Sequence, residues 1–92
     1  METLFKPSFI KDFKKLPKQI KVKVEKICFN DFQKAKNFSD EILKIYSIKS
    51  LTGFSGYYRI RIGDYRIGFK IEREKVIFMR VLHRKDIYKF FP

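Results

Sequence analysis

The sequence predicts an α+β domain: an N-terminal helical hairpin packed on one face of a mainly antiparallel sheet of about four strands. Three observations predict it. Residues 20–35 carry one apolar stripe at helical spacing. Residues 57–71 alternate with period two. Within that alternation stands Gly63-Asp64, a two-residue turn with Gly first, which joins neighbouring strands tightly.

Thr3 to Lys6 reads as a short first strand. Pro7-Ser8 then reads as a helix start with Ser8 as N-cap. Phe9, Ile10, Phe13 and Leu16 recur at helical spacing up to Pro17, which ends the first helix and opens the second. In residues 17–35, Ile20, Val24, Ile27, Cys28, Phe32 and Ala35 form the stripe, and Lys18, Lys21, Lys23 and Lys26 lie mostly off it. From Asn37 to Leu51 no period is clean. Asp40-Glu41 with Ile42-Leu43 reads as a helical turn, and Ile45, Ile48 and Leu51 as a cap on the core. Thr52 to Gly56 is a loop. The meander follows over residues 57–82. Tyr58, Ile60 and Ile62 face one way with Tyr65, Ile67, Phe69 and Ile71. Tyr57, Arg59 and Arg61 face the other with Arg66, Gly68, Lys70 and Glu72. Glu72 to Lys75 is a polar turn, Val76 to Leu82 the last strand, and Lys85 to Phe91 a short helical turn.

Ninety-two residues make a single domain, 1–92. The 45% apolar content and eleven Phe suffice for one core. A lone cysteine, Cys28, excludes an internal disulfide and suits a reducing compartment. No apolar run approaches the roughly 18 residues of a membrane span. No signal-peptide layout opens the chain, so a cytoplasmic location is expected. The net charge of +12 attracts polyanions: nucleic acid, an anionic membrane or an acidic protein.

The basic residues are segregated. All six Arg lie between Arg59 and Arg84; the chain has sixteen Lys, and outside that stretch the positive side-chain charge is Lys alone. Arginine presents a rigid fork matched to phosphate oxygens, whereas lysine is a flexible, hydrated point charge. Either the Arg59, Arg61 and Arg66 face is simply solvated, or it handles phosphate geometry. Arg73 falls in a turn, and the pattern does not fix the direction of Arg80.

Other chemistry lacks support. One His, one Cys and scattered carboxylates give no metal-ligand spacing. There is no Gly-x-Ser-x-Gly and no Gly-rich nucleotide loop, and Cys28 sits in an apolar stripe. No cofactor or small-molecule ligand is implied. Metal-free chemistry on a phosphate remains, and RNA suits it because its own 2′-hydroxyl can attack the neighbouring phosphorus. Arg66 and Arg84 are candidates to stabilise the added charge. His83 is either the proton carrier, as the one side-chain type that ordinarily titrates near neutrality, or a satisfied histidine at a strand end. Tyr88 can stack on a base or position a proton.

Three strings carry a resemblance: Leu51-Thr52-Gly53, the run Tyr57-Tyr58-Arg59-Ile60-Arg61-Ile62-Gly63-Asp64-Tyr65-Arg66, and His83-Arg84-Lys85-Asp86-Ile87-Tyr88. With the Lys-rich hairpin around Leu16-Pro17-Lys18, they resemble the RelE/ParE toxin superfamily on its RelE side, over nearly the whole chain. The resemblance implies a toxin of a type II toxin–antitoxin system. Its partners would be messenger RNA, the ribosome and a cognate antitoxin, with no membrane. Its activity would be metal-independent, ribosome-dependent endoribonuclease cleavage of message in the A site. By type and order, Arg66, Arg84 and Tyr88 match the family's functional positions. His83 stands where other members carry Lys or a catalytic His. Arg59 and Arg61 stand where well-known members have lysines; with Lys49 and Lys85 they are the expected RNA contacts. An arginine cannot act as a general base, so the first proton transfer is unassigned. Two alternatives stay open: a ParE-like toxin that inhibits DNA gyrase without catalysis, and an RNA-binding module without chemistry.

Overall fold

The structure, a computed structural model, describes all of residues 1–92. Strand β1 (Glu2–Phe5) is followed by helices α1 (Pro7–Lys14) and α2 (Lys18–Lys26). The second helix runs on through a π-helical turn, Ile27–Asp31, into α3 (Phe32–Lys34). A 3₁₀ turn at Glu41–Leu43 leads to β2 (Ser47–Ser50), β3 (Tyr57–Ile62), β4 (Tyr65–Glu72) and β5 (Lys75–His83). Helix α4 (Ile87–Phe90) ends the chain.

The fold class is α+β, as expected, but the sheet has five strands in the order β1-β5-β4-β3-β2. The helices follow a first strand, and that strand runs parallel to β5 while the other pairings are antiparallel. The additional strand is β2. Ile48 caps the core as read, but it does so from a strand, opposite Ile60. Four residues reading Ser-Ile-Lys-Ser carry too little alternation to announce a strand, and a lysine suits an exposed edge. The helix start also differs. Lys6 occupies the N-cap position with Pro7 first in the helix, while Ser8 Oγ donates across to the Met79 carbonyl at 2.8 Å.

The core lies between the helices and one sheet face. Phe9, Phe32, Phe69 and Phe78 are fully buried. Phe32 meets Phe69 and Phe78 edge-on at centroid distances of 5.4 and 5.1 Å. Such pairs contribute about 0.5–1.5 kcal/mol each beyond their buried area. The register slips between Gly68 and Phe69: Gly68 faces Arg80 but Phe69 faces Phe78, leaving Met79 as the extra residue of a bulge. The bulge keeps Phe78 and Val81 in the core and re-aims Arg80.

Two carboxylates are buried, and each ties a helix down. Asp12 of α1 accepts from Arg80 Nε at 2.7 Å and Nη2 at 3.0 Å, and from the Val81 amide at 3.1 Å. It therefore fixes the direction of Arg80 and closes the edge of β5 beyond the end of β1. Asp31 accepts from Lys26 Nζ, Asn30 Nδ2 and the Tyr46 hydroxyl, joining the π-helical turn to the start of β2. Burial pushes the Asp31 carboxyl up, yet these three donors together hold it below the usual carboxylate range. Replacing Asp12 with Ala strands a mostly buried guanidinium. We expect a loss of about 2–4 kcal/mol, read by urea unfolding with an unchanged m-value.

Candidate nucleic-acid interface

The helix-free sheet face carries the arginines because period-two strands send alternate side chains there. Arg61 stands directly opposite Arg66 across β3 and β4. Arg59 stands opposite Lys49 on one side and Gly68 on the other. Like charges placed across a strand pair repel, so stability alone does not select this arrangement.

The Gly63-Asp64 hairpin organises two of the guanidinium groups. Gly63 takes φ +57°, which glycine adopts without a Cβ penalty. Arg66 Nη1 donates to the Gly63 carbonyl at 2.8 Å and to the Tyr65 carbonyl at 2.9 Å. The Arg84 amide donates to the Asp64 carbonyl at 2.7 Å, and Arg84 Nε lies 3.8 Å from Asp64 Oδ1. One turn thus anchors Arg66 from β4 and Arg84 from just beyond β5. The Arg66 guanidinium is held below the usual arginine range, first by partial burial and then by repulsion from Arg59, Arg61 and Arg84, with Tyr88 acting the opposite way. It stays charged at neutral pH. A bound anion on this face would relieve that repulsion.

Tyr88 reaches this face because α4 is pinned around it. Ile87 and Phe91 are buried. The Arg80 guanidinium, already held by Asp12, lies over the Phe90 ring at 5.1 Å. Phe91 packs on Gly68, where a Cβ would come within 2.6 Å of the ring. Gly68→Ala should therefore push Phe91 off the sheet and move Tyr88 with it. An overpacking cost of about 1–3 kcal/mol is expected, read as a lowered urea midpoint with loss of α4 amide protection.

His83 is not on this face. It pairs with Tyr65 across β4 and β5, its ring edge-on to Tyr65 at 5.4 Å, on the helix side of the sheet. Its Nδ1 accepts from the Lys85 amide at 3.1 Å. Sequence order groups His83 with Arg66 and Arg84, but strand alternation separates neighbours in the chain. Arg59, Arg61, Arg66, Arg84 and Tyr88 come together; His83 does not. Lys49 lies on exposed β2 beside Arg59, and Lys85 is exposed after the last strand. Arg73 sits in the β4–β5 turn, away from the cluster.

No helix is long and apolar enough to cross a membrane. A family model described as the ParE toxin of the type II toxin–antitoxin system parDE matches residues 4–88. The chain is 42% identical over 92 residues to Toxin RelE3 of Methanocaldococcus jannaschii, covering all of both chains. The toxin of a RelB–RelE antitoxin–toxin complex from Methanococcus jannaschii superposes with a TM-score of 0.72 at 38% identity, over 97% of this chain and 99% of that one. A RelBE2 toxin–antitoxin complex from Mycobacterium tuberculosis matches with a TM-score of 0.65 at 29% identity, over 90% and 96% of the respective chains.

Proposed function

The chain belongs to the ParE toxin family of type II toxin–antitoxin systems, within the RelE/ParE superfamily, and from that membership we propose that it is a ribosome-dependent endoribonuclease. It cleaves message in the A site and is neutralised by a cognate antitoxin of the RelB kind. The observation that carries this reading is the convergence of Arg59, Arg61, Arg66 and Arg84 with Tyr88 on one solvent-facing sheet surface.

In this reading Arg59 and Arg61, with Lys49 and Lys85, hold phosphates along the message. Arg66 and Arg84 lie against the scissile phosphate. The 2′-oxygen gives up its proton to water and bonds to phosphorus, and the bond from phosphorus to the 5′-oxygen breaks. The leaving 5′-oxygen takes a proton from the Tyr88 hydroxyl, which solvent restores. The products are a 2′,3′-cyclic phosphate and a 5′-hydroxyl. Extra negative charge builds on the phosphoryl oxygens, and prearranged guanidinium groups stabilise it without reorganising. The ribosome supplies the in-line geometry that a flexible single strand lacks. No metal ion or cofactor takes part.

His83 remains a candidate proton carrier only if message reaches round the end of β5. Its contact with Tyr65 favours a supporting role.

A second reading has an observation of its own: the family model is named for a ParE toxin. In that reading the arginine face binds DNA gyrase and cuts nothing. Incubation with translating ribosomes and, separately, with gyrase and supercoiled DNA divides the two. Cut message with untouched gyrase supports the endoribonuclease; poisoned gyrase with intact message replaces it.

A further inference from the structure

The turn from His83 to Asp86 joins β5 to α4, and Arg84 and Tyr88 both depend on it for direction. Every backbone N–H inside the turn has an acceptor. The Arg84 amide donates to the Asp64 carbonyl at 2.7 Å, and the Asp86 amide to the His83 carbonyl at 2.8 Å. The Lys85 amide donates to a side chain, Nδ1 of the His83 ring, at 3.1 Å. The imidazole here does what an Asn or Asp side chain does in a turn: it accepts from the backbone two residues on. The Lys89 amide then donates to the Asp86 carbonyl at 3.0 Å, so α4 starts from the last residue of the braced turn.

The ring is held in place for this contact. It stands edge-on to Tyr65 at 5.4 Å and lines a cavity of about 310 Å³ on the helix side of the sheet. The charged and titratable groups that face it across that cavity are Asp12 and Lys15 from α1 and its C-terminal end, Tyr65 from β4, Arg80 from β5, and Asp86 from the turn. Asp12 and Arg80 are paired with each other. The imidazole's one hydrogen-bond partner is the Lys85 amide. A nitrogen that accepts carries no proton, so the neutral ring holds its proton on Nε2. Protonation puts a second N–H on Nδ1, aimed at the N–H of Lys85. The acceptor is then gone, and two donors face each other.

We propose that His83 is a positioning residue: its neutral imidazole braces the turn between β5 and α4, and the turn sets Arg84 and Tyr88 on the arginine face. The brace rests on the reading that those two residues act on message. It gives the histidine a task from the far side of the sheet, without contact to substrate. It also fixes the sign of a pH effect. Cleavage should fall as the histidine gains its proton, within the range of about pH 5 to 8 in which this side chain type changes charge. A proton donor to the leaving oxygen has the opposite sign, since its acid form is the active one.

The test compares wild type with two variants of the full chain. His83→Asn carries an oxygen that accepts from the amide two residues on and does not titrate. His83→Leu fills the space against Tyr65 and accepts nothing. Nitrogen-15 NMR and single-turnover cleavage on ribosomes are followed across about pH 5 to 8. Neutral His83 should show its proton on Nε2, and the Arg84 and Tyr88 amides of wild type should shift with the histidine's titration but stay fixed in His83→Asn. At the alkaline end His83→Leu should cut about two- to tenfold more slowly, the effect of losing one hydrogen bond of ordinary strength, and His83→Asn should restore the rate. The ratio of wild-type to His83→Asn rates should drop toward acid pH. A neutral ring protonated on Nδ1, a His83→Leu rate equal to wild type, or a His83→Asn rate as low as that of His83→Leu would each overturn the brace. The spectra need no message, so the two readings fail separately. Arg84 and Tyr88 amides that follow His83 in a protein that cuts nothing keep the brace and remove the nuclease; cleavage with amides that ignore the titration removes the brace alone.

Discussion

Arg66→Ala should reduce cleavage of ribosome-bound message about 10²–10³-fold while leaving the fold intact. The size follows from removing one prearranged donor to developing negative charge. The intact fold follows from the side chain's place on the helix-free face, where its hydrogen bonds go to hairpin carbonyls that solvent can reach. A stability change below about 1 kcal/mol is expected. Arg66→Lys should recover little, because an ammonium cannot present a fork to two phosphate oxygens while also bonding the Gly63 and Tyr65 carbonyls. Single-turnover cleavage, with circular dichroism and urea unfolding as controls, reads both quantities. A folded mutant of near-normal activity would remove Arg66 from the site.

The second large effect separates Tyr88 from His83. If Tyr88 protonates the leaving 5′-oxygen, Tyr88→Phe keeps the ring and its stacking but loses the proton, and cleavage should fall about 10²-fold or more with ribosome affinity retained. His83→Gln should cost less than about tenfold, below what a general acid contributes, because the imidazole lies against Tyr65 on the far side of the sheet. The reverse order, a severe His83→Gln and a mild Tyr88→Phe, would mean that message passes round the end of β5 and that the histidine delivers the proton.

These two side chains also mark the limit of what sequence can tell. The arginine face was legible because period-two alternation and a Gly-first turn leave one way to pair β3 with β4. Alternation likewise carries His83 away from Arg66: Tyr65 belongs to the core face, and His83 is its cross-strand partner. That step needs the register of β5, and the bulge at Met79 shifts the register by a residue that no periodicity announces. Strand β2 was hidden by its brevity. Asp12 and Asp31 left a readable signal. Asp12 lies three residues after Phe9 and four before Leu16, and Asp31 lies four after Ile27, so both carboxylates sit within apolar stripes. A charge in such a place needs a partner. For Asp12 the partner is Arg80, 68 residues away in the chain, which only the tertiary fold supplies. The docking of α4 rests on Phe91 against Gly68, and nothing local encodes that contact.

The most direct test of the account uses a message with a single 2′-deoxy substitution at the A-site nucleotide whose 2′-oxygen should attack. Translating ribosomes stalled on this message and on its all-ribose counterpart are incubated with the protein, and the ends are mapped. The all-ribose message should be cut in the A site, leaving a 2′,3′-cyclic phosphate and a 5′-hydroxyl. The substituted message should stay intact at that bond, because the nucleophile is gone while every arginine contact to phosphate remains. Cleavage of the deoxy-substituted bond, or a 5′-phosphate on the all-ribose product, would contradict attack by the message's own 2′-hydroxyl and the role given to the arginine face.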